Sequence, residues 1–362
     1  MSIQPSKKSY ASYRSRRSVR LESDTLRVSV TLEGAHVAEI TDKATGVMPL
    51  WTPPWPSIEP SLYDVASHPE YGDSAESRLL SGLMGHNICL DTYGGPSSEE
   101  AAAGMPIHGE GPTVQYHEVG TESSISLKGK LPLANVDFER RIHLAANGSV
   151  ICFSESVSNL SAFDRPIAWT QHVTLGPPFL VKGETQFRAS ATRSKVIDSD
   201  FGGEQQAGAE FLWPLCPKKG GGAIDLRVFP DVARSGGFTT HMVDPTCEHA
   251  FFVAWSPSAK IAFGYAWKRM DFPWMCRWEE NHRRTIAPWN GKTLTCAVEF
   301  GVSPTLESRR EMVQRGSLWG VPAYKWLPAK MHVRANYCAF IMAAESAPES
   351  AVWDGNESVR LL

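Results

Sequence analysis

The sequence predicts an all-β protein: a large antiparallel β-sandwich (supersandwich) with few short helices. Three observations predict this class: alternating apolar and polar runs, short turn signals between those runs, and Gly- and Pro-rich connections without alternating helices and strands. The chain has 362 residues, 42% of them hydrophobic, which is enough to bury a sizeable core. No shift in composition divides it, so we expect one large domain.

The expected strands follow one another as hairpins. In the first, DTLRVSVTL and HVAEITDKATG are joined near Gly34. In the second, VDFERRIHL and SVICFSESV flank Asn147-Gly148, a strong turn signal. HAFFVAWS and KIAFGYAW flank another short polar turn, and TLTCAVEFGV closes the series. These segments predict the strands of the sandwich.

Helical periodicity is convincing only in SPTLESRREMVQRGSL. Ser303 is expected to cap this helix and Pro304 to occupy its first turn. Leu306, Met312 and Val313 would then share one face. The acidic segment SSEEAAAG is expected to add one further turn of helix.

Three segments are predicted. Residues 1–20 are basic and Ser-rich with no apolar run after them, and are expected to form a flexible leader. Residues 21–335 are expected to form the sandwich domain. Residues 336–362 are expected to be a C-terminal extension, either packed on the domain or partly disordered.

Charge and cysteine content exclude several classes of partner. The formal net charge of −3 gives no basic field for nucleic acid or an anionic membrane, and no apolar run is long enough to span a bilayer. The seven cysteines are odd in number and contain no C-x-x-C pair. We therefore expect free thiols in the cytoplasm, a small-molecule ligand, and a monomer or homodimer.

The twelve tryptophans give one functional hint. Many lie in connecting segments, such as LWTPPWPSIEP, AWKRMDFPWMCRW and APWNGK. Flat aromatic faces suit the apolar faces of a sugar ring. The structural alternative is that these side chains close the open ends of the sandwich.

Four stretches carry candidate site residues. They are GLMGHNICLDTYGGPS with His86, Asn87 and Asp91; GMPIHGEG with His108 and Glu110; AWTQHVTLGPPFL with Gln171 and His172; and PWMCRWEENHRR with Trp278, Glu279 and Glu280. A lone strand histidine such as His86 is equally consistent with a hydrogen-bonded core residue. Consecutive Glu279 and Glu280 would point to opposite faces of a strand, so at most one is expected to enter a cavity.

The stretch GMPIHGEG admits several functions. The H-x-E spacing would place His108 and Glu110 on one strand face, where His86 or His172 could complete a metal site. The flanking glycines instead indicate a turn, in which Glu110 would hydrogen-bond nearby backbone amides. Gly109 would let a ligand or another backbone segment approach closely.

The order of three features resembles that of the galactose mutarotase-like superfamily, whose best known members are aldose 1-epimerases. The features are GMPIHGEG, then TQHVTLGPPF, then a glutamate in an aromatic strand. The resemblance runs from LRVSVTLEGAHVAEITDKATG to EFGVSPT and is stronger in order and spacing than in letters. It implies a metal- and cofactor-independent interconversion of sugar anomers by paired proton transfers.

The resemblance also implies residue roles. His108 would hydrogen-bond the sugar near the reacting oxygens, His172 would be the general acid, and Glu279 the general base, with Glu280 as its alternative. The remaining expected substrate contacts are His86, Asn87, Asp91, Glu110, Gln171, Trp278 and Glu280.

The chain departs from the family at two places. GLMGHNICLDTYGG stands where aldose 1-epimerases carry an Asn and a Gly-Arg motif, and RWEENH stands in place of Glu-Thr-Gln. The identity of the sugar is therefore open. Two alternatives remain: a non-catalytic carbohydrate-binding protein of the same fold, and a metal-dependent enzyme using His108, Glu110 and His172.

Overall fold

Most strands of the protein belong to two large antiparallel sheets. The structure is a computed structural model that describes residues 6–362. No helix within that range is long and apolar enough to cross a membrane. The predicted class, a large antiparallel sandwich with few short helices, is confirmed.

The strands in chain order are β1 (Lys7–Tyr13), β2 (Arg16–Glu22), β3 (Leu26–Thr31), β4 (Val37–Asp42), β5 (His86–Asp91), β6 (Tyr116–Glu118), β7 (Ser124–Leu131), β8 (Val136–Leu144), β9 (Val150–Asn159), β10 (Arg165–Leu175), β11 (Gln186–Ala189), β12 (Ala191–Val196), β13 (Glu210–Leu212), β14 (Leu215–Pro217), β15 (Ala223–Asp225), β16 (Ser235–Val243), β17 (His249–Ser256), β18 (Ile261–Lys268), β19 (Trp274–Asn281), β20 (Leu294–Gly301), β21 (Ser317–Leu318), β22 (Val321–Pro322), β23 (Lys325–Leu327), β24 (His332–Ala343), β25 (Ala351–Trp353) and β26 (Val359–Leu361). The α-helices are α1 (Ser77–Gly82), α2 (Ser98–Ala102) and α3 (Arg309–Arg315), and two single 3-10 turns span Pro60–Leu62 and Pro69–Tyr71.

The first sheet has twelve strands in the order β1-β2-β3-β4-β5-β10-β20-β19-β16-β12-β13, with β23 also paired to β10. The second has eight strands in the order β11-β17-β18-β24-β9-β8-β7-β6. The main hydrophobic core, which includes Val28 and Val173 of the first sheet and Phe138 and Phe263 of the second, fills the space between them. Each sheet therefore buries one face against the other.

Each sheet also carries a smaller apolar cluster on its outer face. On the second sheet, the β25–β26 hairpin covers Val253 and Phe340 with Trp353. On the first sheet, α1 and the connecting loops bring Leu79, Leu80 and other apolar side chains over the strands. The first sheet is thus covered on both sides around its central strands.

The predicted hairpins correspond to observed strand pairs, β3–β4, β8–β9 and β17–β18. The start of the predicted C-terminal helix was wrong. Helix α3 begins after Ser308, whose side chain forms a capping box with Glu311, so Ser303 is not the cap. Met312 is buried, whereas Val313 is 41% exposed and does not share its face.

The predicted segment boundaries need correction at both ends. Residues 1–5 lie outside the described part, but residues 7–13 and 16–20 of the expected leader form β1 and much of β2, an antiparallel pair at the sheet edge. At the other end, the boundary at residue 336 falls inside β24, which pairs with both β18 and β9. The residues expected to form a C-terminal extension therefore begin within β24, a central strand of the second sheet.

A charged network crosses the interior between the sheets. Glu155 of β9 accepts hydrogen bonds from Arg140 Nε at 2.7 Å and Tyr337 Oη at 2.6 Å in its own sheet. It also accepts from Trp169 Nε1 at 3.1 Å and Gln171 Nε2 at 2.6 Å on β10 of the first sheet. The Arg140–Glu155 pair is fully buried. Removing one partner would therefore leave an uncompensated charge in the core.

We expect Arg140→Met to lower the free energy of unfolding by about 3–5 kcal/mol, because Glu155 would remain buried without its cation. The double variant Arg140→Met/Glu155→Leu should recover part of that loss. Urea unfolding followed by tryptophan fluorescence measures both. Lys260→Met, which removes an exposed pair with Glu345, is the matched control and should change little. A loss for Arg140→Met no larger than for this control would contradict the expectation.

Candidate active site

A pocket with a cavity volume of about 180 Å³ opens on the outer face of the twelve-stranded sheet. His172, Glu299 and Trp278, from three neighbouring strands, line its floor, and His108 enters from a loop. The pocket therefore brings together two predicted histidines and one predicted tryptophan with a carboxylate that was not predicted.

Strand register explains why these side chains converge. His172 of β10 lies opposite Glu299 of β20, and both point away from the sandwich interior. The neighbouring residue Gln171 points inward to the Glu155 network. Because side chains alternate along a strand, fixing Gln171 in the core directs His172 to the pocket.

His108 is held by its backbone as well as by its ring. Its φ of +64° is in the left-handed region, and its Nδ1 lies 2.6 Å from the carbonyl oxygen of Tyr93. The next residue, Gly109, packs on the backbone of Leu90, where a Cβ atom would come within 2.1 Å of the carbonyl oxygen. Because Gly109 has no Cβ atom, the two backbone segments can approach closely. This contact fixes the loop that carries His108.

Three titratable groups face one another in the pocket. His172 Nε2 lies 3.3 Å from Glu299 Oε1, and the ring centres of His172 and His108 are 6.3 Å apart. The hydroxyl of Tyr93 donates to Glu299 Oε2 at 2.5 Å. Glu299 is only 2% exposed, and the Tyr93 hydroxyl and His108 partly offset the effect of this burial on its pKa.

Burial shifts these groups in opposite directions. It raises the pKa of Glu299 to about 7 and lowers the pKa of His172 to about 4. Burial, and then the neighbouring His172, also lower the pKa of His108. Neutral imidazoles and a carboxyl that titrates near neutrality therefore share one pocket, an arrangement typical of proton-transfer sites.

One wall of the pocket combines aromatic and charged side chains. The guanidinium of Arg284 lies 4.7 Å from the ring centre of Trp289 and 5.5 Å from that of Trp278. Its Nη1 lies 3.4 Å from Glu76, and its Nε lies 3.6 Å from Glu280. These contacts hold the guanidinium beside both indole rings.

The structure corrects the assignment of Glu279 as the base. Arg277 and Glu279 point to the sandwich interior, where Glu279 Oε2 lies 2.9 Å from Arg277 Nη1 and its other oxygen accepts from Ser235. Glu280 points to the other face, but its Oε1 accepts from the backbone N–H groups of Arg283 and Arg284. Neither carboxylate lines the pocket; Glu280 instead supports the turn that presents Arg284.

Several predicted substrate contacts also lie elsewhere. His86 is buried and bonds Tyr265 and Gln171 in the core, so the structural alternative applies to it. Asp91 forms a bidentate ion pair with Arg309 and a second pair with Arg165. Buried Gln171 belongs to the Glu155 network described above.

Glu110 and Asn87, two further predicted substrate contacts, also lie outside the pocket. Glu110 Oε2 accepts from the backbone N–H of Ala134 at 2.7 Å, as expected for the turn alternative, and burial raises its pKa. Asn87 lies opposite His172 in the sheet and is buried, but it does not line the pocket. The trio needed for a metal site, His108, Glu110 and His172, is therefore not assembled. Within residues 6–362 no other group of three such ligands is arranged to hold a metal ion.

The residues missed from the sequence are Glu76 and above all Glu299. Arg284 and Trp289 lie in two segments already singled out there, PWMCRWEENHRR and APWNGK. The available signal for Glu299 was a single carboxylate inside the apolar run LTCAVEFG, which was correctly interpreted as a strand. A charge at the centre of a fully buried strand requires either a partner or a function. No comparable local signal marks Glu76, which lies just before α1.

No protein-family model and no curated protein matches the chain. Solved structures do. A candidate aldose 1-epimerase from Klebsiella pneumoniae has a TM-score of 0.63 at 10% identity, over 91% of this chain and 80% of that one. A galactose mutarotase-like protein from Clostridium acetobutylicum has a TM-score of 0.59 at 12% identity, over 94% and 99%. A galactose mutarotase related enzyme from Lactobacillus acidophilus has a TM-score of 0.57 at 10% identity, over 91% and 99%. The chain therefore has the fold of the galactose mutarotase-like proteins.

Proposed function

We propose that this protein interconverts the anomers of an aldose or a modified sugar, with Glu299, His172 and His108 as the proton-transferring groups. The observation that carries the proposal is the meeting of a buried carboxyl, whose pKa is raised to about 7, with two imidazoles in one open pocket. The similar structures described as mutarotases support a sugar as the ligand.

Anomer interconversion needs two proton transfers. The C1 hydroxyl loses its proton while the ring oxygen gains one, the ring opens, and it closes on the other face of the aldehyde. A base and an acid on opposite sides of the sugar can perform both steps, and they exchange roles on closure. The pocket therefore needs two proton-carrying groups that can both reach the hemiacetal.

His108 is suited to accept a proton. Its Nδ1 donates to the Tyr93 carbonyl oxygen, so Nε2 of the neutral ring is left as an acceptor. The Glu299–His172 pair is suited to supply a proton, because its members lie 3.3 Å apart and the carboxyl titrates near neutrality. In our proposal this pair protonates the ring oxygen while His108 accepts the hydroxyl proton, and closure reverses both transfers.

The location and the alternative function are also proposals. All seven cysteines are free thiols, which supports the cytoplasmic location expected from the sequence. A non-catalytic carbohydrate-binding protein is the second candidate, favoured by the Trp278 and Trp289 faces in the pocket. Catalysis of mutarotation distinguishes the two functions.

We expect Glu299→Gln to reduce kcat for anomer exchange by at least about a hundredfold, because the amide retains the shape of the carboxyl but cannot carry the proton. Exchange NMR of the two anomers at equilibrium measures this rate. Glu279→Gln is the matched comparison. It should lower the melting temperature, since Arg277 loses its buried partner, while the folded protein keeps most of its kcat.

The reverse pattern, with Glu279→Gln inactive and Glu299→Gln active, would restore Glu279 as the base. No acceleration by the unmodified protein on any sugar of a broad panel would leave only the binding function.

We expect a bell-shaped pH profile of kcat/KM. The three groups must hold one transferable proton among them, and that proton is lost as pH rises through about 7, the pKa of Glu299. At the acid side a second proton binds His108, whose pKa is lowered by burial, so this limb should lie below pH 6.5. Activity that continues to rise well above pH 8 would contradict the assignment of the alkaline limb to Glu299.

A further inference from the structure

The pocket lies within an apolar cluster. Besides Ile107, six of its lining side chains are purely hydrocarbon and come from helix α1, strand β16 and connecting loops: Leu79, Leu80, Leu83, Phe201, Phe238 and Leu306. They belong to, or pack against, the same outer cluster as the tryptophans. Most of the surface offered to a ligand is therefore apolar.

Polar groups in the pocket are few and already engaged. Both oxygens of Glu299 have partners in Tyr93 and His172, and His108 keeps Nε2 open after its bond to the Tyr93 carbonyl oxygen. The other charged lining side chains, Arg284 and Glu76, are paired with each other. In the proposed reaction, Glu299, His172 and His108 all serve the reacting oxygens of the sugar and do not bind its other hydroxyls. A common aldohexose carries a hydroxyl on nearly every remaining carbon, and each buried hydroxyl without a partner weakens binding.

The pocket charge also disfavours an anionic sugar. The one cation, Arg284, is offset by Glu76 and by Glu280 behind it. Glu299 adds a third carboxyl on the floor. A phosphate or carboxylate group would meet more negative than positive charge.

We propose that the substrate is an uncharged sugar with fewer free hydroxyls than a common hexose, such as a deoxy sugar or a sugar bearing methyl or larger alkyl ethers. The inference rests on the proposed function and specifies its substrate class. The hydrocarbon side chains accept the deoxy or alkyl groups, and the Arg284 and Glu76 side chains bond one remaining hydroxyl. Trp278 and Trp289, over which Arg284 lies, add aromatic surface to the wall behind it.

Matched sugar pairs test the proposal. Exchange NMR gives kcat/KM for D-galactose against D-fucose, D-glucose against 2-deoxyglucose and 3-O-methylglucose, and D-glucose against glucose 6-phosphate. We expect at least one deoxy or methylated sugar to exceed its parent by about tenfold or more, and glucose 6-phosphate to fall below glucose. Parents that equal or exceed all their deoxy and methylated partners, or a preference for the phosphate, would overturn the proposal while leaving the proposed function intact.

A pocket variant gives an independent readout. Leu306→Asn adds an amide to the apolar wall and should reduce the preference for the deoxy or methylated sugar several-fold. Leu212→Asn makes the same change at a side chain 72% exposed on β13 and should leave the ratio unchanged. Equal ratios in the unmodified protein and Leu306→Asn would count against recognition by this wall.

Calorimetric titration with the same panel separates failure of this inference from failure of the proposed function. Tighter binding of the deoxy or methylated sugars without any catalysis would reject the epimerase activity and retain the ligand class. Tighter binding of the hydroxylated parents would reject the ligand class. Absence of binding by every sugar would reject both.

Discussion

The arrangement of the whole molecule depends on the carboxylate of Glu155, which is buried between the two sheets. It accepts hydrogen bonds from Tyr337 in one sheet and from Trp169 and Gln171 in the other. A buried charge with several partners tolerates only one alignment of the strands that supply them. Since Gln171 is fixed inward by this network, His172 must point outward, and the interior of the sandwich thereby sets the geometry of the pocket.

Strand alternation and turn chemistry in the sequence predict the sandwich because both are local properties. The hairpin at Asn147-Gly148 needs no knowledge of the rest of the chain. The edge strand β1 could not be predicted in this way, since it is largely exposed and rich in lysine, serine and tyrosine. Charge on an edge strand protects it from pairing with other chains, but in the sequence the same charge resembles a flexible leader. The predicted domain boundary at residue 336 cut through strand β24 for a related reason, because the pairing partners of this strand lie far away in the chain.

The site was predictable to the extent that its residues occur in recognisable segments. His108 and His172 were found because each lies in a motif with a family-like order, and the structure places both in the pocket. The catalytic carboxylate was expected on β19, whereas the carboxylate on the pocket floor belongs to β20. The choice between Glu279 and Glu280 depended on which face of β19 each occupies, and the strand register that decides this is a long-range property. Glu299 sits on the adjacent strand β20, where its contact with His172 is visible only once the two strands are paired.

The location of the pocket outside the interlayer core has an evolutionary consequence. The hydrocarbon side chains that surround it, such as Leu306, come largely from connecting segments, whereas the residues that we propose transfer protons come largely from central strands. Replacing a wall residue therefore does not disturb the Glu155 network or the main core on which folding depends. Ligand choice can therefore diverge under weak constraint while the side chains on the pocket floor stay fixed.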